Sequence, residues 1–201
     1  MLAYLLDILF PQACALCSSQ GSNLCQACRR KLPRAELPED LYDTVCAAVG
    51  YGPGVQRYVH QIKFGLYHTL CAEMAQMMHL ALDDRGWQYD LLVPVPLSAK
   101  RLKWRGFNQA GVIARQIDAA RYREALVRNR HTPPQAELDA AARSVNLTGA
   151  FAVNRDVRGM DIIVVDDVYT TGATARECCD TLIAAGCRSC RVLVWAYTAA
   201  A

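Results

Sequence analysis

Four cysteines set the strongest constraint on this chain. Cys14-x-x-Cys17 and Cys25-x-x-Cys28 lie within fifteen residues, separated by a turn-like Gly21-Ser22-Asn23. A Cys-x-x-Cys turn offers two thiolates from one knuckle, and two knuckles complete the tetrahedron that Zn²⁺ prefers. A segment this short has almost no apolar core, so the metal would supply its folding energy. With all four ligands cysteine no coordination position stays open, so Cys14, Cys17, Cys25 and Cys28 predict a structural zinc. The stretch from Pro33 to Asp40 holds two prolines, Pro33 and Pro38, among mixed charges and reads as a linker. The expected division is a zinc-binding double-knuckle module at residues 1–40 and a larger domain at 41–201.

The chain has 201 residues, 53% hydrophobic and 20% charged, enough to bury a core without covalent staples. No segment is long enough to span a bilayer. Leu2, Leu5, Leu6 and Leu9 mark one face of a short helix, and neither a basic lead nor a small-residue cleavage site surrounds them. Without an export signal the expected compartment is the reducing cytoplasm, where thiols and metal thiolates outnumber disulfides. Of ten cysteines, the other six therefore read as buried or core-packed thiols. Cys178, Cys179, Cys187 and Cys190 include a third Cys-x-x-Cys, but two lie mid-helix and one opens a strand, which argues against a second metal site.

Beyond the linker, strand and helix patterns alternate. Val45–Tyr51, Leu91–Val95, Ile162–Val165 and Cys190–Ala196 read as strands. Val55–Phe64, Thr69–Asp84, Asn108–Tyr122 and Ala173–Ala185 read as helices, with Asn108 as an N-cap. Residues 131–148 read as a long polar loop. This order predicts an α/β domain with a mainly parallel sheet flanked by helices.

The segment Ile162–Thr174 concentrates the chemistry. An apolar strand leads into Asp166 and Asp167, at the sheet edge where open α/β folds bind ligands. Adjacent carboxylates there call for ribose hydroxyls or a cation such as Mg²⁺. Thr170, Thr171, Gly172, Ala173 and Thr174 then form a small-residue loop opening a helix, whose N–H groups and hydroxyls suit a phosphate. No Gly-Lys-Ser/Thr follows, which excludes a Walker loop. Net charge is only +3. Between Lys100 and Arg130, however, nine cations face two acids, a local charge of +7. That is an electrostatic footprint for phosphate groups.

This stretch resembles the phosphoribosyl pyrophosphate (PRPP) loop of type I phosphoribosyltransferases. The wider chain resembles one branch of them, the ComF family of bacterial competence and DNA-utilisation proteins, GntX-like proteins included. The resemblance is carried by the four-cysteine N-terminus, the YGPGVQRYVHQIKFG stretch (Tyr51–Gly65) and VPVPLSAKRLKWRGFNQA (Val93–Ala110). It continues through Gln135, Leu138, Arg143, Asn146, the GAF at Gly149–Phe151, and the loop itself.

The resemblance implies a type I phosphoribosyltransferase-like domain in which Asp166 and Asp167 form the catalytic pair and contact the ribose hydroxyls. Thr170–Thr174 would hold the 5′-phosphate. Lys100 and Arg101 would approach the pyrophosphate, which a Mg²⁺ neutralises. Arg105, Asn108 and Gln109 would belong to the site, and Arg143 to a loop that closes over an oxocarbenium-like transition state. Lys63 either reaches this site or solvates a helix end. No base-selecting hood is evident. Three functions stay open: a PRPP-dependent transferase with an unassigned acceptor, a PRPP- or nucleotide-sensing regulator or adaptor without turnover, and a single-stranded DNA-binding protein. In the last, the zinc module and the basic run would hold the strand, with Trp104 and Phe107 stacking bases. DNA-uptake proteins would be natural partners.

Overall fold

The computed structural model describes residues 12–65, 69–128 and 149–199. The expected helix at Leu2–Leu9 and the polar loop at 131–148, with Arg143, lie outside the described residues. After the knuckles come a short helix α1 (Gln26–Arg30) and a 3₁₀ turn (Glu39–Leu41). The larger region follows as β1 (Val45–Gly50), α2 (Pro53–Gly65), α3 (Leu70–Arg85) and β2 (Leu91–Pro94), then α4 (Ala99–Arg105) and α5 (Gln109–Ile117). It ends with β3 (Leu126–Arg128), β4 (Phe151–Val153), β5 (Asp161–Tyr169), α6 (Ala173–Ala184) and β6 (Ser189–Tyr197).

Four strands form one sheet in the order β1-β6-β5-β2, and every pairing is parallel. The expected α/β architecture with a four-cysteine N-terminal segment is therefore observed. The two central strands explain themselves by composition. Ile162–Val165 and Val192–Ala196 are apolar on both faces, as strands covered on both sides must be. One face packs Ile163, Val165, Leu193 and Trp195 against residues of α2, α3 and α5. The other packs Ile162 and Val164 with Cys178 and Leu182 of α6. A separate antiparallel pair joins β3 to β4, Leu126 opposite Val153.

The knuckle segment packs directly on this core. Cys14 and Leu24 lie in the same buried cluster as Val59, Ile62 and Met78. The linker is drawn in too, because the Gly50 N–H donates to the Pro33 carbonyl at 2.8 Å. A Cβ on Gly50 would meet the Arg34 carbonyl oxygen, so only glycine fits there.

Three expected boundaries are corrected. β5 does not stop at Val165 but runs on to Tyr169, carrying both aspartates inside the strand. α5 ends at Ile117 rather than reaching Tyr122. There the Asp118 carboxylate accepts from the Ala120 and Arg121 N–H groups at 3.0 and 3.1 Å, a local side-chain-to-backbone turn that competes with the helix. The stretch after β2 contains a helix, α4, capped by the Ser98 hydroxyl, which accepts from the Arg101 N–H.

Candidate functional site

The zinc centre is built locally. The Cys25 N–H points at Cys14 Sγ (3.4 Å) and the Cys28 N–H at Cys25 Sγ (3.5 Å), so backbone donors orient the sulfurs within the knuckles. The four Sγ atoms all lie within 4.8 Å of one another, and Cys17 and Cys25 are 3.6 Å apart. Zn–S bonds of about 2.3 Å in a tetrahedron require sulfurs roughly 3.8 Å apart, so the cluster fits the ion. Crowded thiols cannot all ionise unaided. Cys25 is drawn down to about 6, first by the Ser19 hydroxyl, while Cys28 is pushed up to about 12, first by its contact with Cys17. A dication relieves that conflict. Among the described residues this is the one converging group of three or more metal-ligating side chains.

The second site is a cleft of about 910 Å³ along the carboxyl edge of the sheet. It lies where β2 ends beside β5, which runs on parallel for four more residues. Asp166, Asp167 and the whole Thr170–Thr174 loop line it, together with Lys100, Arg101, Arg105 and Gln109. Asn108 is the exception. Its amide donates to the Val95 carbonyl (3.0 Å) and its oxygen caps α5 at the Ala110 N–H (3.1 Å), and it does not line the cleft. It holds the chain beside the cleft instead.

Because β5 continues through them, the two aspartates face opposite sides of the sheet. Asp167 is buried on the side of α2 and α5. Its Oδ2 receives Lys63 Nζ at 2.8 Å and Gln109 Nε2 at 3.2 Å. Arg105, only 8% exposed, donates to Gln109 Oε1 at 2.5 Å. Arg105, Gln109, Asp167 and Lys63 thus form one chain of contacts drawn from three helices and a strand. Its Arg105 Nε is buried and without a hydrogen-bond partner.

The same geometry separates their acidities. Burial works to raise Asp167, but the charge and hydrogen bond of Lys63 outweigh it and hold the carboxyl below its usual range. Asp166 has no such partner. Burial first, then the neighbouring Asp167 charge, push it up to about 8. Burial opposes the charge on Lys63, yet Asp167 returns a net rise. One carboxylate is thus kept charged and the other is poised to gain a proton.

Sequence reasoning overlooked two residues beneath the loop. Gly172 has φ +72°, and a Cβ there would overlap the Tyr169 hydroxyl. Arg176, one turn into α6, donates to the Thr171 carbonyl at 2.6 Å. Tyr169 and Arg176 thus shape the loop from below and behind. An arginine five residues past a threonine carries no recognisable pattern, so no motif signalled it.

Comparison with known proteins adds the family. Residues 5–54 match the model described as "Double zinc ribbon domain". The "DNA utilization protein YhgH" of Salmonella typhimurium is 32% identical over 196 residues, covering 93% of this chain and 82% of that protein. "Competence protein F" of Haemophilus influenzae is 32% identical over 135 residues, 61% of this chain and 57% of its own. "Competence protein ComFC" of Bacillus subtilis is 37% identical over 84 residues, 42% and 34% respectively. Among solved structures, one titled "Structure of the allosteric regulatory enzyme of purine biosynthesis" covers 62% of this chain and 26% of its own at 19% identity. Its TM-score is 0.43. The knuckle match and the near full-length relative agree with each other: the chain belongs to the family of the DNA utilization protein YhgH and the ComF competence proteins.

Proposed function

We propose that the cleft binds PRPP with Mg²⁺ and that the chain is a phosphoribosyltransferase-like protein serving DNA utilisation in a reducing cytoplasm. The observation that carries this reading is that Asp166, Asp167 and the whole Thr170–Thr174 loop line one cleft together with Lys100, Arg101 and Arg105. Each part of PRPP finds matching chemistry. Ribose hydroxyls donate to the aspartates. The 5′-phosphate takes the N–H groups at the start of α6, a twelve-residue helix whose N-terminus favours an anion. The pyrophosphate meets the three cations, with Mg²⁺ arriving on the ligand. In a transfer, the C1′–O bond breaks, pyrophosphate departs with its electron pair, and an acceptor nitrogen closes on C1′. The cationic wall stabilises the charge that develops on the leaving group.

Isothermal titration with Mg²⁺–PRPP tests the reading. Wild type should bind saturably. Asp167→Ala should weaken binding by about tenfold or more, the loss expected for a hydrogen bond to a charged group. No heat with wild type, or unchanged affinity in the variant, removes the proposal. Pyrophosphate release across a panel of bases then separates a transferase from a sensor.

One observation favours a nucleic-acid surface beside the cleft. Trp104 is 56% exposed at its rim, on the same helix as Lys100, Arg101 and Lys103. Gel shifts with single-stranded DNA should weaken as salt rises and in Trp104→Ala. Absence of a shift at low salt rejects this second reading.

A further inference from the structure

Helix α2 touches both chemical centres, and does so with residues two apart. Gln61 Nε2 donates to the carbonyl of Ala15, inside the first Cys-x-x-Cys knuckle, at 2.9 Å. Lys63 Nζ meets Asp167 Oδ2 in the cleft at 2.8 Å. At 3.6 residues per turn, side chains two apart project about 200° around the axis, so these contacts leave the helix on nearly opposite faces. Between them, Val59 and Ile62 of α2 are buried in one cluster with Cys14 and Leu24 of the knuckle segment. α2 is therefore a strut, clamped to the knuckles on one side and reaching the cleft on the other.

We propose that Lys63 is a positioning residue for Asp167, and that α2 holds it there from the zinc knuckle, so that metal occupancy of the four-cysteine site governs the affinity of the cleft.

Lysine is a flexible point charge on a four-carbon stem, so its placement depends on where its helix is fixed. Both Lys63 and Gln109 engage Oδ2 of Asp167, and Oδ1 takes part in neither contact. The carboxylate is thus turned and kept charged by two holders on one oxygen. Moving α2 would release Asp167 from one of its two holders. Losing the metal would loosen the Ala15 knuckle and, through Gln61, the helix. By linkage the effect is reciprocal, and a ligand that fixes Asp167 should tighten the hold on zinc.

The cleft-affinity half of this proposal rests on the PRPP reading, while the strut does not, and the experiment separates them. Acetylation of Lys63 by a water-soluble acetylating ester, followed by mass spectrometry, reads the Lys63–Asp167 contact without any ligand. Asp167→Asn sets the rate for a released lysine. Gln61→Ala, loaded with zinc, should acetylate at Lys63 about fivefold faster than wild type or more, and so should chelator-stripped wild type. In parallel titrations with Mg²⁺–PRPP, Gln61→Ala should bind about fivefold more weakly. Lys63→Met should lose affinity and Lys63→Arg should recover part of it, a rescue that packing alone would not produce. An unchanged Lys63 rate in both Gln61→Ala and the stripped protein overturns the strut. Faster acetylation with no PRPP binding by wild type leaves the strut standing and discards the PRPP reading.

Discussion

Between residues 12 and 30, Cys14 and Leu24 are the two buried side chains, whereas β5 alone buries six of nine residues. The first region has nearly nothing to withdraw from water, and its order comes from sulfur ligands at fixed spacing. The second is held by apolar burial at ordinary cost, about 25 cal/mol per Å² removed from water. The contrast explains where each carries its chemistry. A metal-held segment has a closed coordination shell and offers only its outer contacts, such as the Ala15 carbonyl that Gln61 reaches. A sheet with a deep core can carry costly features near the carboxyl ends of its strands. Two adjacent carboxylates and a left-handed glycine sit there because the neighbouring strands are stable without them.

The largest effect should come from breaking the metal shell. Zinc binding is worth about 10–16 kcal/mol in small zinc domains, so Cys14→Ser should abolish zinc content and strip amide-exchange protection from residues 12–30. β5 and β6 should keep theirs. Simultaneous loss of protection in β5 would show that the two regions are one cooperative unit. The converse change comes next. Leu193→Ala empties a fully buried position on a central strand and should lower unfolding free energy by about 2–5 kcal/mol in denaturant melts. Zinc stoichiometry should not change. A fall in metal content would again merge the two regions.

The knuckles and the loop were legible in the sequence because their chemistry is local. Spacing within fifteen residues defines the metal site, and thirteen consecutive residues spell strand, acids and phosphate-type loop. The strand end was misread for the complementary reason. An acidic pair looks like a sheet edge until partners are known, and those partners, Lys63 and Gln109, come from distant helices. The short α4 was hidden because its sequence, AKRLKWR, has cations where a periodic apolar stripe would be needed. The β3–β4 pair was hidden because its strands meet across a long sequence gap. Asn108 reads both as an N-cap and, from its place where a strand-to-helix connection meets the site, as a site residue; the cap is what the structure shows, and position alone cannot tell the two apart.

Smaller effects probe the edge of the sheet rather than its core. Gly172→Ala must accept φ +72° and displace the Tyr169 hydroxyl. Backbone strain of this kind costs about 1–3 kcal/mol. Thermal melts should show that loss, and Mg²⁺–PRPP affinity should fall further than stability does, since the loop itself is distorted. Pairing the change with Tyr169→Phe should recover little of either loss, because the ring carbons Cζ and Cε1 still overlap the new Cβ and the left-handed backbone is unrelieved. Full recovery would mean that the clash, not the backbone, dictates glycine at this position.

The last effect is a pH dependence, and its sign follows from which aspartate lacks a cation in contact with it. Burial, then the neighbouring Asp167 charge, push the Asp166 carboxyl from its ordinary 3.8 up to about 8 in the folded chain. Between those values the folded state holds a proton that the unfolded chain has released. Stability from Asp166 is therefore fully present below about pH 4 and is lost as pH rises through about 8. Asp167 runs the other way, since its depressed folded value supports the fold above the ordinary carboxylate range and fails in acid. Asp166→Asn should melt at the same temperature as wild type near pH 4 and higher than wild type near pH 8. Lys63→Met should enlarge the alkaline loss, because the Lys63 charge also helps to keep Asp166 ionised. If Asp166→Asn instead lowers the melting temperature at pH 8, then Asp166 is held as a carboxylate, and the two aspartates share one charged environment despite facing opposite sides of β5.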